Sequence, residues 1–458
     1  MRLVAALLAV ALLGHPAEAR QSVGEAAVQR TLRSGQQVVE LPAGVIEISS
    51  GLVLPPGAHD LEIRGAPAGT TLRASNGFRG RAIFLCDSAS RIRLSGFTVD
   101  GNRAATAQPA GLPSYDQPFA QFTRGSGILA IRAASLTVSQ VRFVNIPGFA
   151  ILASASRDLI IDRVRIEDSG SKNAAGRNNT TGGILIEEGS ENFRVTRCEL
   201  RNVSGNGVWT HSLYTSPRNR DGHITENRFE QIGRDAIQVG HATGVRVEEN
   251  TGRNIGFPPE IVDVEGRGMP VAIDTAGNTD QSVYARNRFE EINGKCIDLD
   301  GFHDGRVLAN VCVNQHAAEY YPYGHFGIVM NNSNPDMRSE HVEIDGNEID
   351  GTVFGGIFVI GTGNRVTHNR LRRINLAHCG SDQAAAGCHY APNQPDLLRT
   401  GIYLGAAAER PDPASGNLIE DNAVSGFGIS RHCVAAAPGV SLAANTVAGN
   451  TCRDDPAR

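Results

Sequence analysis

The stretch CIDLDGFHDG (296–305) places Asp298 and Asp300 two residues apart, alternating with the apolar Ile297 and Leu299. In an extended chain alternate side chains share a face, so both carboxylates point outward about 6.6 Å apart. Asp274, in VAID (271–274), reads at the register of Asp300 one repeat earlier, about 4.8 Å away on a neighbouring strand. Three carboxylates at such spacing repel, and at least one should retain its proton unless a cation intervenes. Cleavage of a glycosidic bond needs this equipment: a protonated acid for the leaving oxygen, and a carboxylate that activates water or attacks the anomeric carbon. Inverting catalysis asks for carboxyls roughly 6.5–9.5 Å apart, which the Asp298–Asp300 spacing meets. Two other roles suit the same residues. Asp298, Asp300 and Asp304 are hard oxygen donors for one Ca2+ ion. A plain aspartate ladder can also accept hydrogen bonds from turn amides.

Other chemistry-bearing residues read onto the same outward face. Asp235 precedes its strand by the same two residues as Lys295. Lys295 is one of two lysines, with Lys172, in a chain whose Lys+Arg total is 43. Beside the acidic cluster it suits an elimination base, a substrate-binding cation or an ion pair to Asp274; Arg267 is a second candidate base. His211, His241 and His303 fall near the same stretch, with Trp209, Gln238 and Glu187 on outward positions. Sugar rings stack on aromatic faces, although aromatic residues also anchor long loops. No nucleophile elbow, phosphate loop or HExxH motif points to another class.

The elements that must hold these residues are repeats. Asn227, Asn250, Asn287, Asn310, Asn347, Asn369, Asn422 and Asn445 each close a similar phrase, at gaps of 23, 37, 23, 37, 22, 53 and 23 residues. A recurring unit of fixed length is the signature of a solenoid. Asn tolerates a left-handed backbone, so it suits a sharp bend once per turn. Once per period the chain also reads small residue, apolar, any, apolar, as at Gly127-Ile128, Gly183-Ile184, Cys296-Ile297 and Gly401-Ile402. This pattern predicts short parallel strands with alternate residues inside. Aligned on their first inward residue, the outward positions are apolar in the first and last repeats and polar in the middle. The longest insertions flank that middle: 170–182, 254–269, 314–325 and 375–400 before the strand, 212–221 and 332–340 after it. Loops on both sides of one sheet wall a groove along it.

These repeats resemble the pectin-lyase-like superfamily of right-handed parallel β-helices. The resemblance extends to the start of the mature chain, where an amphipathic segment (25–32) precedes VVELPAGVIEISSGLVLPPGAHDLEIRG like the helical cap and first coils of such proteins. It implies an all-β, single-stranded right-handed solenoid with a helical cap. It also implies an activity on polysaccharide or oligosaccharide: a glycosidase foremost, a lyase as the alternative, and a non-catalytic carbohydrate-binding or surface protein as a third. A transferase or epimerase is compatible with the same scaffold. Ca2+ would favour a lyase, since members of this group use it to bridge a uronate. In the polygalacturonase-like glycoside hydrolases a comparable coil carries paired Asp before a Cys-Ile strand. Here Gly294 and Lys295 stand in those places. Asn278-Thr279-Asp280 is similar to another motif of that family, while its Gly-His-Gly and Arg-Ile-Lys signatures are missing.

Composition sets the remaining bounds. Residues 2–14 form a basic start and short apolar run, and Ala17-Glu18-Ala19 follows as a small-x-small site. The expectation is a leader removed after residue 19 and a secreted or periplasmic chain with no membrane segment. Residues 20–125 read as cap and first coils, and 126–455 as further coils of the same single domain, in total ten or so coils and a rod of roughly 50 Å. The net charge is −5 with no basic stripe, which argues against nucleic acid as a partner. Eight cysteines in an exported chain allow disulfides. Cys379 with Cys388 would tie a long loop, Cys433 with Cys452 would pin the last coils, and Cys86, Cys198, Cys296 and Cys312 read as buried thiols. No cofactor beyond Ca2+ is suggested, and monomer and homotrimer are both compatible with the fold.

Overall fold

The computed structural model describes residues 23–108, 117–262, 270–385, 387–388, 394 and 396–456. The expected leader and Arg267 lie outside the described residues. The first element is the helix Val23–Leu32. It buries Val28 and Leu32 over the open end of the core. Its Glu25 carboxylate accepts hydrogen bonds from the backbone N–H groups of Ser49, Ser50 and Gly51, which docks the helix on the first coil.

From Val38 to Asp454 the chain winds as a right-handed parallel β-helix. One coil is typical: Gly182–Glu187, a bend, Glu191–Thr196, a bend, Glu199–Val203, then Asn206–His211 one level further on. Every pairing between these strands and their neighbours is parallel and in register. Equivalent strands stack in three columns. One column is a sheet of 14 strands, and the other two run together as a sheet of 28, because Val271–Asp280 and Lys295–His303 round a corner without a break. The stack is longer than the sequence repeat suggested. Fourteen levels at ~4.8 Å make a rod of about 62 Å. The extra levels are regular coils before residue 126, where the asparagine phrase is missing.

The core is a set of stacked rows. Ile128, Ile151, Ile184, Val208, Ile237, Ile273, Ile297, Ile328, Ile357 and Ile402 lie one above another, all buried. The residue before this row must be small because coils approach closely: a Cβ on Gly183 would meet the Gly207 carbonyl oxygen at 2.3 Å. One alignment changes. In VAID both Val271 and Ile273 fit the inward pattern, but the main-chain pairing sets Ile273 in the row, and Val271, paired with Lys295, lines the outer-face cavity. Asp274 therefore faces Asp298 rather than Asp300, and Ala276 takes the place opposite Asp300.

The asparagines do not make the bend themselves. The left-handed residues are the ones before them, such as Glu226 (φ 58°), Glu249 (φ 58°), Arg286 (φ 55°) and Ala309 (φ 51°). Each Asn turns inward and joins a ladder. Asn250 Nδ2 donates to Asn287 Oδ1 and to the Ile224 carbonyl at 2.9 and 2.8 Å, and Asn287 repeats this toward Asn310. The ladder ends on Asn450, whose Oδ1 accepts from Asn422, while Asn445 ends a separate ladder through Asn364 and Asn417.

Disulfides join Cys379 to Cys388 and Cys433 to Cys452, as the spacing suggested. A third joins Cys296 to Cys312, so these two are not thiols; their side chains meet across the interior of one coil. Cys86 and Cys198 are free and buried.

The ladder generates a stability prediction. Asn287→Ala removes a donor and an acceptor and leaves Asn250 without its partner in a dry interior. It should cost about 2–4 kcal/mol in denaturant unfolding, and Asn445→Ala at the more exposed end should cost less. Equal, small losses at both positions would show that the ladder contributes little.

Candidate active site

The stacking places the outward residues next to the buried row in columns as well. One residue after the row, the column reads Leu129, Leu152, Leu185, Trp209, Gln238, Asp274, Asp298, Val329, Phe358 and Tyr403. It is polar only at Gln238, Asp274 and Asp298. Two residues before the row, Asp235 precedes Ile237, and Val271 pairs with Lys295 on the following levels. Three residues after it, Asp300 pairs with Asn331. Asp235, Asp274, Asp298 and Asp300 all line one cavity of about 880 Å³, with Gln238 and Lys295.

Their surroundings differ, and the differences divide the protons among them. Asp235 and Asp274 are buried. Asp235 accepts from the Val271 N–H at 3.1 Å and has Arg234 at 3.5 Å. Burial raises its carboxyl to about 7; Arg234 opposes that rise, and the Asp298 charge adds to it. Asp274 is pushed well above the carboxylate range, first by burial and then by the charges of Asp235 and Asp298. A short relay holds it: Asn206 Nδ2 donates to Gln238 Oε1 at 2.6 Å, and Gln238 Nε2 donates to Asp274 Oδ2 at 2.7 Å. Asp298 has the compensating cation, since Lys295 Nζ donates to its Oδ2. The ion pair expected between Lys295 and Asp274 is thus made with Asp298. Asp298 Oδ1 is buried with no hydrogen-bond partner among the described residues. Asp300 is half-buried, and burial with the Asp298 charge raises it to about 6. Both its oxygens accept from Ser333, one from the N–H at 2.8 Å and one from the hydroxyl, so it holds the 332–340 loop.

Five expected site residues lie elsewhere. Trp209 is buried against Phe119, with ring centroids 4.9 Å apart, under the short helix Phe119–Phe122. His211 packs on the same Phe119 ring at 5.2 Å. Glu187 is fully buried, and its two oxygens accept from the N–H groups of Phe119 and Ala120, so it anchors this helix. His241 sits past the end of its strand against Tyr214. His303 lies beyond the bulge in the long strand, opposite Asp280, bonded to the Gly301 carbonyl. The sequence placed Trp209, His211 and Glu187 on outward positions and His241 and His303 near them, but did not show what covers them. Asp304 occupies a left-handed turn and pairs with His341 at 3.1 Å. Among the described residues, Asp298, Asp300 and Asp304 do not bring three oxygens within 4.8 Å of one another, whereas Glu187, Glu188 and His211 place three ligand atoms that close. The oxygens of that second group are already engaged by the donors on Phe119, Ala120, Leu213 and Ser216.

Several lining residues escaped the sequence reading. Arg234 and His325 stand three residues before the buried row, and Phe326 stands two before it, the register of Asp235 and Lys295. The register was legible; extending it one residue back would have found them. Burial and the nearby Lys295 charge lower His325 to about 3, so its ring is neutral. Ser333, Gln394, Leu397 and Glu409 come from loops whose course the periodicity does not specify.

Residues 82–258 match the family model described as the right handed beta helix region. The chain has the right-handed parallel β-helix fold. Solved β-helices superpose on it over most of their length. The surface adhesin PfbA of Streptococcus pneumoniae does so with a TM-score of 0.55 at 15% identity, covering 76% of this chain and 87% of that one. The A-module of the mannuronan C-5 epimerase AlgE4 of Azotobacter vinelandii gives 0.52 at 13%, covering 76% and 90%. The polygalacturonase of Erwinia carotovora ssp. carotovora gives 0.51 at 16%, covering 72% and 91%. At these identities the likeness is one of fold. No curated protein sequence matches the chain. No helix among the described residues is long and apolar enough to cross a membrane.

The raised carboxyl of Asp235 gives a pH prediction. The folded state binds this proton up to about pH 7, the unfolded chain only up to about 4. Its contribution to stability is therefore present at low pH and lost as pH rises through 7. Asp235→Asn, which keeps an acceptor for Val271, should raise Tm more at pH 8 than at pH 5. Equal shifts at both pH values would show that Asp235 is ionised throughout.

Proposed function

We propose that this β-helix is a carbohydrate-active enzyme that hydrolyses glycosidic bonds in the Asp274–Asp298 cavity. The observation that carries the reading is the in-register pairing of two buried carboxylates with opposite electrostatic support. Asp298 has Lys295 to balance a negative charge, while burial and two acidic neighbours keep the proton on Asp274 against the opposing pull of the Gln238 amide. Asp274, kept protonated by burial beside Asp235 and Asp298, acts as the general acid toward the leaving oxygen. Asp298, with Oδ1 free, takes the proton of an attacking water or attacks the anomeric carbon itself. Asp300 is a positioning residue through Ser333. Phe326, Val329 and Phe358 offer apolar faces to a sugar ring, and Gln238 and Arg234 offer polar contacts. Three disulfides suit action outside the cytoplasm.

A second reading, elimination from a uronate with Lys295 as base, is favoured by the placement of that cation in the cavity. Product mass separates the two: hydrolysis adds water, and elimination leaves an unsaturated sugar. On the hydrolytic reading Asp274→Asn and Asp298→Asn each lower kcat about 10²–10⁴-fold with the fold retained. The rate should also fall on the alkaline side, as the coupled Asp235–Asp274 pair loses its protons. Unchanged kcat in both variants would remove the assignment.

A further inference from the structure

The outward face is a long ladder, yet little of it is open. Toward the amino-terminal end Leu129, Leu152 and Leu185 point outward and are nevertheless 0–1% exposed. The helix Phe119–Phe122 lies over them, fixed by Glu187 beneath and by Arg81, whose Nη2 donates to the Ala120 carbonyl. Trp209 closes this side against Phe119.

The other end is bridged. Tyr403 is 1% exposed and packs on Phe358. The segment after it folds back over two levels to the Asn332 loop. There Arg410 N–H donates to Asn332 Oδ1 at 2.9 Å, Asn332 Nδ2 donates to the Arg410 carbonyl at 3.1 Å, and Arg410 Nε donates to the Ser333 carbonyl at 3.2 Å. From the opposite wall Gln394 Nε2 reaches the Ala407 carbonyl at 3.3 Å. The two walls thus meet across the sheet.

The sides are joined as well. Asn334 donates to the Tyr214 hydroxyl across four levels and Asn278 reaches Asp336 across two, so loops from separate levels share one wall. On the opposite side Asn178 Nδ2 donates to the Ile261 carbonyl at 2.8 Å, and Phe257 packs on Tyr320. What stays open runs from Gln238 to Phe358, four level spacings or about 19 Å of a rod of about 62 Å. Its volume of about 880 Å³ lies within the roughly 300–1,000 Å³ of sites that enclose one small ligand.

We infer that this cavity takes the end of a glycan chain, or a short oligosaccharide, and excludes the interior of a long polymer. A chain interior needs two exits, and both axial exits are occupied by packed protein. The inference rests on the reading of the cavity as a glycan-cleaving site and specifies the substrate that site takes.

The test is the product profile of the wild-type protein on polygalacturonate, mannuronan, and neutral glucans and galactans, each offered as polymer and as short oligosaccharides. The expected result is one short product from the earliest time points, with reducing ends rising while polymer viscosity stays level; oligosaccharides cleaved while their polymers resist would agree. A broad ladder of fragments with an early fall in viscosity would overturn the inference and leave the hydrolytic reading intact. No cleavage of any substrate would overturn the hydrolytic reading, and the inference with it. Arg410→Ala supplies a second readout. Loosening the bridge should lengthen the released products, and an unchanged profile would show that the bridge does not set product length.

Discussion

Main-chain hydrogen bonds between successive levels hold equivalent residues about 4.8 Å apart, whatever side chains they carry. In the interior this spacing is favourable, because isoleucines in the Ile128–Ile402 row pack on one another and asparagines exchange amide hydrogen bonds. On the outer face it compels proximity. Asp274 and Asp298 are aligned because Ile273 and Ile297 are, and no relaxation of the carboxylates can separate their backbones. Under that constraint the repulsion is relieved by chemistry: a proton on one side, Lys295 on the other, and an amide relay from Asn206 through Gln238. The Cys296–Cys312 disulfide pins the same level to the opposite side of the coil.

Fold and site were unequally legible in the sequence. Alternation and period are properties of the backbone, so strands, coils and outward positions could be read directly; Asp235, Gln238, Lys295 and the three aspartates do line one cavity. The register of one strand was ambiguous because Val271 and Ile273 are interchangeable to a pattern of alternating apolar residues. Main-chain pairing decided it and moved Asp274 beside Asp298. The asparagine phrase identified the bend but not which residue bends, since a left-handed conformation at Glu249 or Ala309 carries no compositional mark. Trp209 and Glu187 show a further limit. Outward is not the same as exposed, and the helix that covers them comes from residues 119–122, some 70–90 positions earlier.

The covered and open stretches of the face differ in kind. Where the outward column is leucine, a helix lies on it and apolar burial holds the cover in place. Where the column turns acidic, the loops stand back and join one another across the gap through Gln394, Ala407, Arg410 and Asn332. The same scaffold thus offers a surface to pack on and a surface to keep clear, distinguished by one side chain per level.

The asparagine ladder has a consequence for how such a molecule can diversify. Asn347 and Asn369 are bonded at 2.9 Å across 22 residues, and Asn369 and Asn422 are bonded at 2.9 Å across 53. The additional chain leaves at a corner and returns without disturbing the levels above or below. Lengthening such an excursion twofold costs only about 0.6 kcal/mol of closure entropy. Walls, roof and entrance can therefore be rewritten segment by segment, while the carboxylates beneath them stay where the backbone has put them.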